Sequence, residues 1–343
     1  MSKCYALMGI GDARLMGVCS SFCSNFYDMN FLRLIRLKNL IIIALTMLAM
    51  RYCIMHPMLE NHGLQLQLPV WIFTLIVLAT VLIAAAGYVI NDYFDTRPDT
   101  INHPDSVIVG RSVSKRMAIA LHSTLNALGV VAGVVAAFAV QKPMFSLIFI
   151  LTTGMLWFYS TTYKRQLLIG NIIVALLSAL VPLIPLVFEY PMLQVYWSSV
   201  VVYQMKLYPI VYWICTYAIF AFLLTLAREI IKDIEDFEGD SSFGRNTLPV
   251  YFDISVSKTV VCSVLLATVM LLAYALSKYQ QSLPQFDIIT LVYCFMLIVM
   301  PIFATMVILM MAKHKKHYHA ASVMCKLIML MGIAYTLVFR FGV

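Results

Sequence analysis

Apolar residues run through this chain in long blocks separated by short polar turns. A block of about 20 apolar residues crosses the hydrocarbon core of a bilayer as a helix, so each such block is read as a membrane span. The pattern predicts nine spans: Leu37 to Met55, Pro69 to Asp95, Arg116 to Val140, Met144 to Thr162, Leu167 to Phe188, Tyr208 to Asp236, Ser255 to Leu276, Phe286 to Ala312 and Ala321 to Phe339. Pro57 to Leu68 reads as a polar loop and Gln141-Lys142-Pro143 as a tight turn. Pro182 and Pro185 predict a kink in the fifth span. Glu189 to Leu207 is read as a longer, aromatic-rich connection with room for a short interfacial helix.

Composition fits this pattern. Hydrophobic residues make up 62% of the 343 and charged residues 12%, and the mean hydropathy is +0.89. A soluble domain carries about 25% charged residues. Lipid leaves only helices or closed barrels as ways to satisfy the backbone. The expected fold is therefore an all-α integral membrane protein, nine helices in a single bundle around a central cavity. No linker divides residues 31–343, which read as one domain. Residues 1–30 carry Lys3 and Arg14 but neither an uninterrupted apolar core nor a clear cleavage site, so they are expected to be a poorly ordered extension and not a secretory signal. The net charge of +8 is modest and gives no ground for nucleic-acid binding. The eight cysteines form no C-x-x-C pair and read as small buried hydrophobes.

Lysine and arginine fall unequally between the two sets of loops. One side holds Arg97, Arg111, Lys115, Arg116, Lys164, Arg165, Arg228, Lys232, Arg245, Lys258, Lys313, Lys315 and Lys316. The other holds Lys142, Lys206, Lys278 and Arg340, with Arg51 near it. The positive-inside rule places the first side, and the N-terminus, in the cytoplasm of what is expected to be a prokaryotic inner membrane.

Two acidic stretches stand on that side. The second span ends in Asn91-Asp92-Tyr93-Phe94-Asp95-Thr96-Arg97-Pro98-Asp99. As helix, Asn91, Asp95 and Asp99 are four apart and share one face. Pro98 is expected to end that helix near Arg97. The sixth span ends with Asp233, Asp236 and Asp240 at spacings of three and four, beside Arg228 and Lys232. Like charges in register repel one another, and a divalent cation with hard oxygen ligands relieves that repulsion. Mg²⁺ prefers a few carboxylates plus substrate phosphates to an all-protein cage. Arg111, Lys115, Arg116, Lys164, Arg228 and Lys232 lie on the same side and are candidate contacts for the remaining phosphate oxygens. The substrate implied is an amphiphile with a diphosphate head at the interface and an apolar tail in the bundle. An allylic diphosphate fits: bound metal stabilises the leaving group, and aromatic faces with exclusion of water suit an allylic cation. Tyr88, Tyr93, Phe94, Tyr159 and Tyr163 are the nearest aromatics, although lipid-facing or core packing is the commoner role for each. Glu60 and Glu189 are expected to be solvated in outer loops. Lys313-His314-Lys315-Lys316-His317-Tyr318-His319 reads as an anchoring turn, not a metal site.

At these residues the chain resembles the UbiA superfamily of intramembrane prenyltransferases. The motif N-D-x-x-D-x-x-x-D matches Asn91, Asp92, Asp95 and Asp99, and D-x-x-x-D matches Asp236 and Asp240, with Asp233 an extra upstream acid found in one branch. A Tyr-x-x-x-Lys element of the family has its counterpart in Tyr159 and Lys164, one residue further apart here. The resemblance implies two Mg²⁺ ions bridging a polyprenyl diphosphate, with Asn91, Asp95, Tyr159, Lys164, Asp236 and Asp240 as catalytic residues and Asp92, Asp99 and Asp233 as further metal ligands. Ile101 to Ile108 and Arg228 to Asp236 look most like the archaeal-type branch, whose acceptor is geranylgeranylglyceryl phosphate. The same core serves aromatic acceptors such as 4-hydroxybenzoate, homogentisate and naphthoate, and the residues leave that choice open, as they do the oligomeric state. The rival of another class is a cation-coupled transporter, but transporters place such acids near the midplane within internal repeats, and here they lie at one surface.

Overall fold

The computed structural model describes residues 30–197, 207–282 and 287–342. Residues 1–29, which make up nearly all of the expected N-terminal extension, lie outside the described residues, as do 198–206, where the interfacial helix was expected. Among the described residues the chain is helical, with an isolated bridge between Val109 and Val113. Among the described residues, nine helices are long and apolar enough to span a bilayer. We number the elements α1 (Leu37–Glu60), α2 (Val70–Phe94), α3 (Thr96–Asn102), α4 (Lys115–Ala139), α5 (Pro143–Thr161), α6 (Ile169–Trp197), α7 (Tyr208–Glu235), α8 (Phe237–Ser242), α9 (Leu248–Tyr251), α10 (Ile254–Ser282), α11 (Ile288–Met311) and α12 (Lys315–Gly342). The chain is an integral membrane protein.

The most extensive pairings are α2 with α4 and α6 with α7. One apolar cluster joins Met47 of α1, Ile76 and Ile83 of α2, Ala136 of α4, Phe149 of α5 and Phe188 of α6. A larger one joins Ile54 of α1, Ile231 of α7, Leu265 of α10, Ile302 of α11 and Cys325 of α12. Lipid is itself apolar, so small residues that let backbones approach matter here. A β-carbon on Gly133 of α4 would lie 2.3 Å from the Phe149 ring of α5.

Four expectations are corrected. First, α1 does not stop at Met55. A π-helical turn over Met50–Met55 carries it past Pro57 to Glu60, so the loop before α2 is shorter than the polar residues suggest. Second, α6 runs through Pro182, Pro185 and Pro191 to Trp197 and does not end at Phe188. Glu189 is therefore not a solvated loop residue: it is 0% exposed. Its Oε1 accepts from the backbone N–H groups of Gln67 and Leu68, and its Oε2 lies 3.8 Å from Arg51 Nη1. Arg51, also buried, donates to the Leu68 carbonyl and stacks 4.5 Å from the Phe73 ring centre. A partner 138 positions away in the chain neutralises the glutamate and lets the helix continue through it. Glu60, by contrast, is exposed as expected.

Third, Pro98 does not terminate a helix. The break falls earlier, at Asp95, and Pro98 sits in the first turn of α3, where a missing N–H leaves no helical bond unmade. Fourth, α12 begins at Lys315, not Ala321. Most of the lysine–histidine run is thus the first turns of a helix. Lys315 donates to the Asn102 carbonyl, and His319 Nδ1 lies 3.1 Å from Glu235 Oε1.

Candidate active site

Both acidic motifs sit where a long helix breaks into a short one. The chain bends at Asp95 (φ −85°, ψ 0°) between α2 and α3, and at Asp236 (φ −96°, ψ 10°) between α7 and α8. The two short helices are tied to each other. Asn102, ending α3, donates from Nδ2 to the Asp236 carbonyl at 3.1 Å and accepts from the Gly239 N–H at 2.9 Å. Position 239 has to be glycine for this, since a β-carbon there would stand 2.4 Å from Asn102 Nδ2. His103 Nε2 lies 2.8 Å from Asp236 Oδ1. That hydrogen bond raises the imidazole pKa against the opposing effect of burial.

The motifs line one end of a cavity of about 1340 Å³, larger than a drug-sized pocket of roughly 300–1,000 Å³. Asn91, Asp92, Asp95, Asp99, Asp233 and Asp236 all line it. Below them the wall is mostly apolar, with Ile83, Phe149, Leu156 and Val181 on one side and Phe220, Leu276 and Ile333 on another. Asp240 is outside this lining, one step back, and reaches the site through Arg245.

Two cations sit on the motifs, Lys164 within the first and Arg245 between the two. The Lys164 ammonium donates to Asp95 Oδ2 and, at 3.1 Å, to Asn91 Oδ1. Arg245 forks between Asp95 Oδ1 (2.6 Å) and Asp240 Oδ1 (3.2 Å). Lys164 is held in place by its turn: Gly170, at the start of α6, packs so close that a β-carbon would lie 3.0 Å from Lys164 Cα. The same turn fixes the Arg245 segment, since the Asn246 N–H donates to the Arg165 carbonyl at 3.0 Å. Burial would raise the Asp95 pKa, but Lys164 and then Arg245 outweigh it and hold the carboxyl below its ordinary value. Among the described residues, Asp99 makes no such ion pair. Burial, then the charge of Asp95, pushes it up to about 6. Burial likewise pushes Asp240 up to about 6, against the pull of Arg245.

Other residues expected at the site are placed as follows. Asp92 pairs with Arg36 Nη2 at 2.7 Å. Asp233 accepts from Asn171 Nδ2 at 2.8 Å. Arg228 and Lys232 line the cavity and both bond Glu229. Arg111 lines it too, donating to the Pro104 carbonyl at 2.6 Å. Lys115 and Arg116 are exposed at the start of α4 and are not part of the lining. Tyr88 and Tyr159 face the cavity, whereas Tyr93, Phe94 and Tyr163 do not line it. From sequence Arg245 reads only as a loop charge, its one signal a position five residues after Asp240. Arg36, Asn102, His103 and Asn171 carried no signal beyond polarity.

Among the described residues, no three Asp, Glu, His or Cys side chains stand close enough to hold an ion as they are. The donor chemistry nevertheless suits a hard divalent cation. An ammonium already bridges Asn91 and Asp95 within the first motif, and a guanidinium bridges Asp95 and Asp240 between the two, so positive charge is drawn to both places.

Residues 63–331 match the UbiA prenyltransferase family. The chain belongs to that family. This UbiA-family chain is 35% identical over 185 residues to the digeranylgeranylglyceryl phosphate synthase of Methanoregula boonei, an alignment covering 54% of the chain and 58% of that relative. It thus spans less than two thirds of the relative's length. A solved structure concerned with digeranylgeranylglyceryl phosphate synthase in membranes superposes with a TM-score of 0.59 at 23% identity, covering 92% of this chain and 99% of that one. A UbiA homologue from Archaeoglobus fulgidus, solved with GPP and Mg²⁺, superposes with a TM-score of 0.52 at 17% identity, covering 90% and 99%. At these identities the two structures support the shared fold.

Proposed function

We propose that this UbiA-family protein is a Mg²⁺-dependent prenyltransferase of ether-lipid synthesis, moving a prenyl group from a polyprenyl diphosphate to a geranylgeranylglyceryl phosphate-type acceptor. The observation that carries the reading is the pair of acidic helix breaks, joined by Arg245 and with Lys164 on Asp95, beside a large and mostly apolar cavity. The name of the Methanoregula relative supports the acceptor, and the GPP and Mg²⁺ in the Archaeoglobus homologue support the donor and the metal. Two ions are expected, one held by Asn91, Asp95 and Asp99 and the other by Asp236 and Asp240, with Asp92 and Asp233 as further ligands. The bound metal supplies positive charge to the leaving diphosphate. The chain's own residues do the rest. Lys164 and Arg245 swing from carboxylate to diphosphate oxygens, where charge-assisted bonds strengthen as the leaving group gains charge. The apolar walls hold the tail in line and exclude water from the allylic carbon. Tyr88 and Tyr159 offer aromatic faces to that carbon as its bond to oxygen breaks. The acceptor hydroxyl oxygen then bonds that carbon, and its proton leaves with the released diphosphate. The site faces the cytoplasm on the positive-inside rule, and residues 31–343 act as one domain.

The test supplies purified protein and Mg²⁺ with a panel of prenyl diphosphates. Geranylgeranylglyceryl phosphate and 4-hydroxybenzoate compete as acceptors, and products are identified by mass. Asp95→Ala and Asp236→Ala should insert in membranes yet lose transfer. Near-normal activity in either variant overturns the metal-bridged site, and product formed only on the aromatic acid overturns the lipid acceptor.

A further inference from the structure

A block of uncompensated charge lies outside the cavity. Residues 288–343 hold Lys313, Lys315, Lys316, Lys326 and Arg340 but neither aspartate nor glutamate. Lys313, His314, Lys315, Lys316 and His317 occupy the turn between α11 and α12 and the first residues of α12, and all five are exposed. None of them lines the cavity. Among the described residues neither Lys313 nor Lys316 makes an ion pair; the pair in this run belongs to His319, with Glu235 at 3.1 Å. The turn is fixed from below. Lys258 of α10 and Tyr318 of α12 both donate to the Ala312 carbonyl, at 2.6 and 3.3 Å, and the Lys258 ammonium lies 5.3 Å from the Tyr318 ring centre. Lys258 thus brings a further positive charge. Asp253, the acid nearest to it in sequence, accepts from the Ser255 N–H at the start of α10.

The surroundings are those of a membrane boundary. Val307, Met310 and Met311 of α11 are exposed and lead up to the lysines. Tyr251 and Phe252, just ahead of α10, are exposed as well and pack edge to face at 4.9 Å. Aromatic rings and long cations at the end of lipid-facing helices sit at headgroup level, with stems in the apolar layer and charges in water. Orientation in the membrane asks only for charge somewhere in a short loop. It asks neither for a turn pinned by two side-chain bonds nor for a contact with the active site. Here the middle lysine makes that contact. Lys315 donates to the Asn102 carbonyl at 2.5 Å, and the Asn102 side chain ties α3 to α8. Lys313 and Lys316 flank Lys315 and repel it, and an anion bound to these two relieves the repulsion.

We propose that Lys313 and Lys316, on the platform of Lys258 and Tyr318, form a docking site for the headgroup of an anionic phospholipid in the leaflet on the active-site side, and that a lipid seated there holds Lys315 on the Asn102 carbonyl. Lys315 is then a positioning residue. The lipid site stands without the prenyltransferase reading, and its effect on turnover rests on that reading. The headgroup phosphate meets the lysines while the acyl chains lie on the exposed face of α11. A zwitterionic lipid has the chains without the net charge, and free phosphate has the charge without the chains.

The full chain in detergent is titrated with dioleoylphosphatidylglycerol, dioleoylphosphatidylcholine or inorganic phosphate, and bound lipid is counted by native mass spectrometry. Each lysine at a headgroup layer contributes about fivefold in affinity for an anionic lipid, so Lys313→Gln/Lys316→Gln should weaken phosphatidylglycerol binding at least about tenfold and leave phosphatidylcholine unchanged. Lys313→Arg/Lys316→Arg should keep the binding. Lys142→Gln/Lys278→Gln removes the same charge from the opposite side and should change neither lipid. Retained binding of Mg²⁺ with inorganic diphosphate shows that the Lys313/Lys316 variant is folded. Turnover is then compared in phosphatidylcholine vesicles with and without phosphatidylglycerol. Wild type should gain at least about threefold from the anionic lipid, as expected when one hydrogen bond is steadied. Lys315→Met should still bind phosphatidylglycerol but lose that gain. Four results would each overturn the proposal: equal binding of the two lipids by wild type, phosphate bound as tightly as phosphatidylglycerol and lost in the same variant, an equal loss in the Lys142/Lys278 variant, or a gain in turnover that survives in Lys315→Met. If the lipid binds as expected and no vesicle supports prenyl transfer, the prenyltransferase reading fails and the lipid site stands.

Discussion

Replacing Arg245 with Gln should tighten the binding of free Mg²⁺ while weakening that of the diphosphate. Arg245 is nearly buried, its side chain 9% exposed, and its two bonds to Asp95 and Asp240 measure 2.6 and 3.2 Å. Each is a charge-assisted bond of about 1.5–3 kcal/mol, so freeing both carboxylates costs roughly 3–6 kcal/mol before they can serve a metal. Lys164 adds a second such obstacle at Asp95. In the wild type, a diphosphate offsets this by giving the two cations new anionic oxygens. Metal and diphosphate should therefore bind cooperatively, and thermodynamic reciprocity makes the coupling equal in both directions. Calorimetric titration of Mg²⁺, with and without inorganic diphosphate, measures it. We expect diphosphate to improve wild-type metal affinity at least about tenfold, which needs only about 1.4 kcal/mol of the available bond energy. In the Gln variant, Mg²⁺ alone should bind at least about tenfold more tightly and the coupling should shrink. The variant should also be less stable in chelator, because Asp240 loses its buried partner, and regain stability on adding Mg²⁺. If the Gln variant binds free metal no better than wild type, Arg245 is not occupying the ligands and the counter-ion argument is wrong.

Further outcomes follow from the same geometry. Gly239→Ala puts a β-carbon against Asn102; it should unpin α3 from α8 and lower turnover by about a hundredfold, as expected of a misplacement near 1 Å, with Gly239→Ala/Asn102→Ala regaining part of it in a steady-state assay. Metal affinity should fall as pH drops through about 6, where the raised carboxyls of Asp99 and Asp240 take up protons; because these pKa values are raised above the ordinary carboxylate value, the metal-free protein should become more stable, not less, between about pH 6 and pH 4, as thermal unfolding in detergent at each pH will show. Glu189→Ala strands the buried Arg51 and should cost about 3–5 kcal/mol of stability, whereas Glu189→Gln/Arg51→Met should cost much less in the same unfolding assay.

The spans and the two acidic stretches could be read from the chain because their signals are local. Twenty apolar residues in a row need no partner to be recognised, and acids four apart share a helix face in any helix. What escaped was set by distant partners. Glu189 looks like a loop residue, and three prolines nearby argue for a helix end, until Arg51 is known to lie against it. Arg245 looks like an orientation charge until the turn at Arg165 is seen to hold its segment against Asp95. The break at Asp95 was misjudged for a different reason. Pro98 carries the stronger helix-ending signal, but a proline in a first turn begins a helix as readily as it stops one.

That break explains how the site works at all. Had α2 continued straight to Asp99, each further residue would have moved 1.5 Å along the axis, carrying Asp99 about 12 Å beyond Asn91 and away from the cavity. The same holds for α7 and Asp240. Bending at Asp95 and Asp236 turns α3 and α8 toward each other, so that Asp99 and His103 line the cavity end while Asn102 clamps Gly239 and the Asp236 carbonyl. The four-residue spacing thus has two effects. Within one turn it puts the ligands on a common face, and across the break it places one ligand on each side of the bend. A motif of the same composition on an unbroken helix would keep its register and lose the convergence. The Asn102–Gly239 clamp, which uses none of the acidic side chains, is accordingly as necessary to the proposed metal site as the carboxylates it aligns.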